Sequence, residues 1–424
     1  MFTEYPRITT DTRQDLQDSI FFGLRGDKFN GNSYAIEALE KGARYAVIDD
    51  PEMSDIKDCI KVEDSLKTLQ ELAAYHRESL SIPILAITGS NGKTTTKELT
   101  DEILSSRFIV KSTPGNLNNH IGVPLTLLGM DETTEIGIVE MGANHPGEIS
   151  FLCQIAKPDY GLITNVGEAH LEGFGSLEGV KKAKAELYKF IGERGGLIFC
   201  NAGNPDLREM IADINAGICW YGPGEESICS GEVLSSDPVL SIRLSFPETG
   251  NADIKTGLVG AYNLENILSA VAVGLHFRIP TAEIGSSLKG WSTANMRSQK
   301  IETENNVLIM DAYNANPTSM SAALDNFKQQ DHPQKVLILG DMLELGNIEE
   351  TAHLKVLNQI REMDVAHTFL VGPVFSGLSL PGGIRAFISV ADLKKWLGNN
   401  PLKNSLILLK ASRGIGLEQL KGVL

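Results

Sequence analysis

Residues 84–96 read Ile-Leu-Ala-Ile-Thr-Gly-Ser-Asn-Gly-Lys-Thr-Thr-Thr and hold the densest chemistry in the sequence. The apolar run from Pro83 to Ile87 predicts a buried strand, and the residues from Thr95 onward predict a helix. Strand, glycine turn, Lys-Thr and helix together cradle a nucleotide phosphate. Gly89 and Gly92 let backbone N–H groups approach the oxygens, and Lys93 brings a point charge to the β- and γ-phosphates. Thr94 can offer its hydroxyl to Mg²⁺, and the helix N-terminus adds its positive dipole end. The spacing Gly89-x-x-Gly92-Lys93-Thr94 is a contracted form of the Walker A loop, with Ile87 where the first glycine would fall. The alternative is a plain glycine turn before a helix. The strand ahead and the Lys-Thr pair directly behind argue against it.

Further candidates sit where apolar runs end. Glu140 closes Ile136-Gly-Ile-Val-Glu140, and a carboxylate at the tip of a buried strand beside a phosphate loop suits Mg²⁺, which takes oxygen ligands. His170 follows the run at Leu162–Ile163, in a loop with Asn165 and Glu168. Its type and place leave a satisfied histidine and a functional one equally open. Asp311 ends the run Val307–Met310, and an Asn- and Pro-rich turn follows it. The loop Gly340–Gly346 follows Lys335–Leu339 in the same way. Two such loops suggest a binding crevice, although 340–346 reads equally well as a plain strand-to-helix connection. Lys181, Lys182 and Lys184 share a helical segment. A solvated basic face suits the first two, and periodicity does not single out Lys184.

The elements that must position these groups form an α/β pattern. Strand-like runs alternate with helical ones from 84 to about 290 and again over the last ~125 residues, which predicts sheets covered by helices. Residues 217–256 are richer in strand and turn signals. At 424 residues the chain exceeds a single core, and about three domains are expected. Their bounds read as 1–82, 83–298 and 299–424, with the polar stretch Ser298–Asn306 as a hinge.

A net charge of −16 argues against nucleic acid and anionic membrane as partners, so an anionic substrate would need local Lys and Arg. The first residues lack the basic and apolar regions of a signal peptide, and no apolar run approaches a membrane span. Cys59, Cys153, Cys200, Cys219 and Cys229 form no Cys-x-x-Cys pair, which predicts reduced thiols in a cytoplasmic protein.

Taken together, these segments resemble the Mur ligases of bacterial peptidoglycan synthesis, over nearly the whole chain and in order. The resemblance rests on Asp11-Thr-Arg13, Phe21–Gly26, Thr88–Lys97, Gly115–Pro124, Glu140–Glu148 and Asn165–His170. It continues through Ala183-Lys-Ala-Glu-Leu187, Gly260–Asn266, Asp311–Ser319, Gly340–Gly346 and Lys410–Gly414.

The resemblance implies a small N-terminal α/β domain that holds a UDP-muramoyl substrate. It implies a central phosphate-loop domain with a mostly parallel sheet and helices on both faces, and a C-terminal Rossmann-like α/β domain. It implies ATP bound by Gly89, Asn91, Gly92, Lys93, Thr94, Thr95, Asn266, Arg297 and Asp311. It implies two Mg²⁺ ions held by Thr94, Glu140, His170 and Lys184, with Lys184 carrying a CO₂-derived carbamate that makes it an oxygen ligand. Catalysis would fall to Lys93, Lys184, His170 and Asp311. Arg13, Arg25, Gly26, Asn119, Asn314, Asn316 and Arg413 would bind substrate. The expected reaction joins D-alanyl-D-alanine to the terminal carboxylate of UDP-N-acetylmuramoyl-tripeptide through an acyl phosphate, in a monomer that inserts into no membrane. The rivals are another ligase of the superfamily (the one adding the third peptide residue, or folylpolyglutamate synthase) and a nucleotide-gated switch that ligates nothing.

Overall fold

In the computed structural model, which describes residues 2–26, 29–53 and 56–424, three sheets with parallel cores follow one another along the chain. The first has four parallel strands in the order Arg7–Thr9, Ser19–Phe22, Tyr45–Ile48, Cys59–Lys61. The second has six parallel strands in the order Gly217–Tyr221, Leu197–Asn201, Tyr160–Ile163, Ile84–Thr88, Ile136–Glu140, Val110–Ser112. The third runs Gln299–Glu302, Asn306–Asp311, Ser405–Lys410, Lys335–Gly340, His367–Val371, Ile384–Phe387, and its first strand is antiparallel.

Apolar runs such as Ile84–Thr88 and Ile136–Glu140 are buried throughout because helices cover both faces of their sheet. Alternate residues go to opposite faces. Ile84, Ala86 and Val139 join the core on one side, while Leu85, Ile87 and Ile138 join that on the other. The C-terminal sheet divides likewise, with Leu337 and Leu339 on one side and Val336 and Ile338 on the other. The β-rich segment splits in two. Gly217–Tyr221 completes the central sheet, and Ser230–Ser235, Ser241–Phe246 and Gly250–Lys255 form a separate antiparallel sheet. Ile242, Leu244 and Phe246 of that sheet pack into the central core, as their alternation requires.

Helix Ser65–Ser79 ties the first sheet to the second. Leu69 and Ala73 join the core cluster that holds Leu127 and Leu152. Arg77 is 7 % exposed and donates to the carbonyls of Ala156, Lys157 and Leu80 and to Asp159. Asp159 in turn accepts from the Ile84 N–H, at the start of the phosphate-loop strand.

The stretch Ser298–Asn306 is not the unanchored hinge its polar composition predicts. Gln299–Glu302 is an edge strand paired with Asn306–Asp311, and buried Asn306 donates to the carbonyls of Leu402 and Leu424. Polar residues suit a strand with one edge in solvent. The irregular backbone lies just upstream, where Met296 and Ser298 both have left-handed φ (59° and 56°). All five cysteines are free thiols, and all but Cys59 are buried. Among the described residues, no helix is long and apolar enough to cross a membrane.

Candidate active site

The first strand of the central sheet, Ile84–Thr88, lies between Ile136–Glu140 and Tyr160–Ile163, so the strand order reverses at it. Ligands of such sheets bind beyond the carboxyl ends at this reversal. The phosphate loop, Glu140 and Asn165 all emerge there. Across from them stand the carboxyl ends of Asn306–Asp311 and Ser405–Lys410, neighbours in the C-terminal sheet with Asp311 opposite Lys410. A cavity of about 790 Å³ fills the space between.

Two glycines shape the loop. Gly89 has φ +144°, and a Cβ there would meet Thr164 Oγ1 at 2.0 Å. Gly92 caps helix Lys93–Leu104 with φ +80°, and a Cβ there would meet Asn266 Oδ1 at 2.2 Å. Only glycine permits both the backbone turn and the close approach. Asn165 fastens the loop from the side: its Oδ1 accepts from the Asn91 N–H at 3.0 Å, and its Nδ2 donates to the Asn91 carbonyl at 3.1 Å. Lys93 is half-buried and donates through Nζ to the Gly89 carbonyl at 2.8 Å.

Thr94 Oγ1 donates to Glu140 Oε2 at 2.9 Å, and Asn118 Nδ2 donates to Glu140 Oε1 at 2.7 Å. Glu140 is 1 % exposed, with Lys97 Nζ 4.0 Å away. Among the described residues, no three His, Cys, Asp or Glu side chains converge as a metal cage. The Thr94–Glu140 pair offers two oxygen donors beside the phosphate loop, which suits a hard cation that takes few protein ligands and keeps water or phosphate oxygens, as Mg²⁺ does.

The cations of this region depress one another. Burial lowers the Lys184 pKa to about 7, with Lys93 adding to the effect against Glu148 and Glu186. Burial also lowers Lys93, which Glu140 opposes and Arg297 reinforces. His170 is lowered by burial and by Lys93 and Lys184, against the Glu344 carboxylate. Crowded positive groups whose charge is penalised mark a place where a polyanion supplies the missing compensation.

Asp311 Oδ2 accepts from Lys410 Nζ at 2.6 Å, and its Oδ1 accepts from the Ser298 N–H at 3.1 Å. The Ser298 hydroxyl meets Tyr262 Oη at 2.5 Å. The Arg297 guanidinium lies over the Tyr313 ring at 3.7 Å from its centre, and its Nε is buried without a partner.

Of the residues selected from sequence, Asn91, Gly92, Lys93, Thr95, Asn119, Glu140, His170, Asn266, Arg297, Asp311, Asn314 and Asn316 line the cavity. Gly89 and Thr94 adjoin the lining residues in the loop, and Lys184, outside the lining, is buried over the Phe174 ring where its charge acts on Lys93 and His170; Thr94 and Lys184 are each 2 % exposed. Arg413 is exposed and reaches the outer side of Tyr313, donating to its Oη at 3.3 Å. Arg13, Arg25 and Gly26 do not line the cavity: Arg13, in a turn, makes a two-pronged pair with Asp11, and Arg25 and Gly26 pair with Phe29–Asn30 in a separate two-stranded sheet, where Arg25 also pairs with Asp49.

Lys410 and Glu344 fall in segments that the sequence singles out, Lys410–Gly414 and Gly340–Gly346, but neither residue is given a role there. Lys410 ends the buried strand Ser-Leu-Ile-Leu-Leu-Lys, the same signal that picks out Glu140. Glu344 meets His170 across the domain boundary, and nothing local announces that. The loop Gly340–Gly346 is divided in its roles. Asp341 is fully buried and accepts from the Val374 and Phe375 N–H groups, so its work is structural.

A phosphate-loop sheet facing a Rossmann-like sheet across one cavity defines an ATP-dependent ligase of the Mur type. Residues 87–274 match the Mur ligase middle domain, and residues 296–390 match the Mur ligase, glutamate ligase domain. The UDP-N-acetylmuramoyl-tripeptide–D-alanyl-D-alanine ligase of Bacillus subtilis (strain 168) is 35 % identical, the alignment covering 97 % of this chain and 92 % of that one. The crystal structure of MurF from Acinetobacter baumannii superposes with a TM-score of 0.87 at 30 % identity, covering 98 % of this chain and 92 % of that one. That of the MurF ligase from Thermotoga maritima in complex with ADP superposes at 0.85 and 25 % identity, covering 98 % and 96 %. The chain belongs to the Mur ligase family, in the branch of the UDP-N-acetylmuramoyl-tripeptide–D-alanyl-D-alanine ligases.

Proposed function

We propose that this protein is an ATP-dependent ligase that joins D-alanyl-D-alanine to the terminal carboxylate of UDP-N-acetylmuramoyl-tripeptide. The observation that carries this reading is the shared cavity: the phosphate loop forms one wall, and Asp311, Asn314 and Lys410 form the other. In this reading the γ-phosphate of ATP passes to the tripeptide carboxylate and gives an acyl phosphate. The amine of D-alanyl-D-alanine attacks that carbonyl, and phosphate leaves. Transfer of this kind depends on alignment and charge neutralisation more than on covalent help.

The chain's own groups divide the task. The backbone N–H groups of the loop and Lys93 hold the phosphates. Asp311 is left with acceptor capacity for ribose hydroxyls, its carboxylate fixed by Lys410 and the Ser298 N–H. Asn266 and Arg297 stand beside the loop, at the adenine and phosphate end. Thr94 and Glu140 would hold Mg²⁺, which when bound screens the charge that collects on the transferring phosphoryl group. His170 and Lys184 would serve a second ion.

Lys184 suits the carbamate role because a pKa of about 7 leaves a large share of neutral amine at physiological pH. Only the neutral amine adds to CO₂, and the product replaces an ammonium by oxygen donors. We assign the acceptor end to Asn119, Asn314, Asn316 and Arg413, and the nucleotide-sugar end to Arg13, Arg25 and Gly26. The test is ADP release against a panel of UDP-muramoyl peptides. Release should require both the tripeptide and D-alanyl-D-alanine. Release without the amine would indicate a switch or ATPase, and release with another peptide or a folate would indicate a different ligase.

A further inference from the structure

The loop that delivers Glu344 is held at almost every backbone donor before it reaches that residue. The Asp341 N–H donates to the Val371 carbonyl, the Met342 N–H to His353 Nε2 at 3.0 Å, and the Leu343 N–H to Ser412 Oγ at 2.9 Å. His353 is fully buried and directed by its own Nδ1, which contacts the Glu349 carbonyl at 2.7 Å. Asp341 is clamped at the start of helix Pro373–Gly377. The chain then turns through a left-handed φ of 62° at Glu344, an uncommon conformation for a residue with a long side chain. The Glu344 carboxylate contacts His170 Nδ1, and its backbone carbonyl faces the Glu172 N–H at 3.4 Å. His170 is itself left-handed, with φ 53°. Two strained residues from different sheets thus meet side chain to side chain.

Stability does not account for this arrangement. The Glu344 side chain is 55 % exposed, and ion pairs in such a position contribute little. Orientation does. A carboxylate only accepts, so the nitrogen facing it must carry the proton, and the other nitrogen keeps its lone pair. Carboxylates behind working histidines commonly set ring tautomer and angle in this way.

We propose that Glu344 is a positioning residue: supplied by the C-terminal sheet, its carboxylate fixes His170 of the central sheet in the Nδ1–H tautomer and leaves Nε2 as the free lone pair at the cavity. The role is defined on the ligase site proposed above, but it is tested without turnover. His170 becomes competent only when the two sheets are docked, so Glu344 links domain docking to the chemistry of the centre.

The experiment is a long-range ¹H–¹⁵N spectrum of protein labelled at histidine. It is recorded at about pH 8, where imidazole is neutral, with the His170 signals identified by their loss in His170→Asn. The wild type should show the Nδ1–H pattern. Glu344→Ala should shift His170 toward the Nε2–H form that an unconstrained histidine side chain prefers, and Glu344→Gln, which keeps an acceptor oxygen, should retain the wild-type pattern. In the ligation assay, Glu344→Ala should lower kcat by about 10- to 100-fold, with KM for each substrate within about threefold and Glu344→Gln intermediate. An Nε2–H pattern in the wild type, or one unchanged in Glu344→Ala, overturns the proposal. So does a raised KM with unchanged kcat, the signature of a docking contact alone. If no ligation is found with these substrates, the spectra still decide the role of Glu344 while the ligase reading fails separately.

Discussion

Asn316 Nδ2 donates to Asn91 Oδ1 at 2.8 Å, so a residue of the C-terminal sheet's first helix grips the phosphate loop of the central one. The same side chain caps its own helix, Oδ1 accepting from the Ser319 N–H at 2.8 Å, with Pro317 in the first turn. The two jobs use different atoms and can be separated. Asn316→Asp keeps the capping oxygen, loses the donor to Asn91 and sets a carboxylate beside the phosphate site. We expect its melting temperature to stay within about 3 °C of wild type, since Asp caps as well as Asn, and the KM for ATP to rise about tenfold, roughly 1.4 kcal/mol. Asn316→Ala should in addition lose about 1 kcal/mol of stability. An unchanged KM in Asn316→Asp would show the bridge to be incidental to nucleotide binding.

Lys93→Ala should abolish ligation, by a factor of about 10³ or more, because the charge that the loop itself brings to the β- and γ-phosphates is lost. The lysine bonds only to carbonyls of its own loop in this structure, so the fold should survive. Near wild-type turnover in a variant with a normal circular dichroism spectrum would refute the loop assignment.

Gly92→Ala tests the loop by shape alone. The added methyl meets Asn266 Oδ1 at 2.2 Å on a backbone with φ +80°, and the strain should cost about 1–3 kcal/mol. Nucleotide affinity, measured by ADP titration calorimetry, should fall along with thermal stability. Pairing it with Asn266→Ala removes the clash but not the backbone strain, so the double variant should recover part of the stability and none of the affinity. Wild-type affinity in Gly92→Ala would mean that the nucleotide does not rest on this loop.

The parallel sheets were legible because burial on both faces leaves unbroken apolar runs, and the ends of those runs pointed to Glu140 and Asp311. Local pattern failed where a side chain's partner lies far along the chain. Glu344 lies 174 residues from His170, and no periodicity connects them. It also failed at Ser298–Asn306, where polar composition suited an edge strand as well as a hinge. Lys184 is a different case. On helix Leu177–Glu193 it falls in register with Val180, Leu187 and Ile191, the buried stripe, while Lys181 pairs with Asp206 and Lys182 is exposed. The sequence did not single it out among three neighbouring lysines; only the burial of that stripe marks it as a misfit, and misfits of that kind collect at working sites.

That buried lysine has a measurable consequence. The Lys184 pKa is about 7 in the folded protein and 10.5 for an ordinary lysine. Between those values the unfolded chain binds the proton and the folded one does not, so the native state gains stability as pH rises through this window. Below about pH 7 both states are protonated, and the full burial penalty, on the order of a few kcal/mol, is present. Lys184→Met fills similar volume without a charge. In CO₂-free buffer it should therefore exceed wild type in denaturant midpoint at pH 6, and the gap should close as pH approaches 10. Bicarbonate at about pH 8 should stabilise wild type and leave Lys184→Met unchanged, because a carbamate forms on the neutral amine and answers the positive field of Lys93. A constant gap between the two proteins across this range would show that Lys184 stays charged in its pocket. A bicarbonate effect common to both would place the CO₂ chemistry elsewhere.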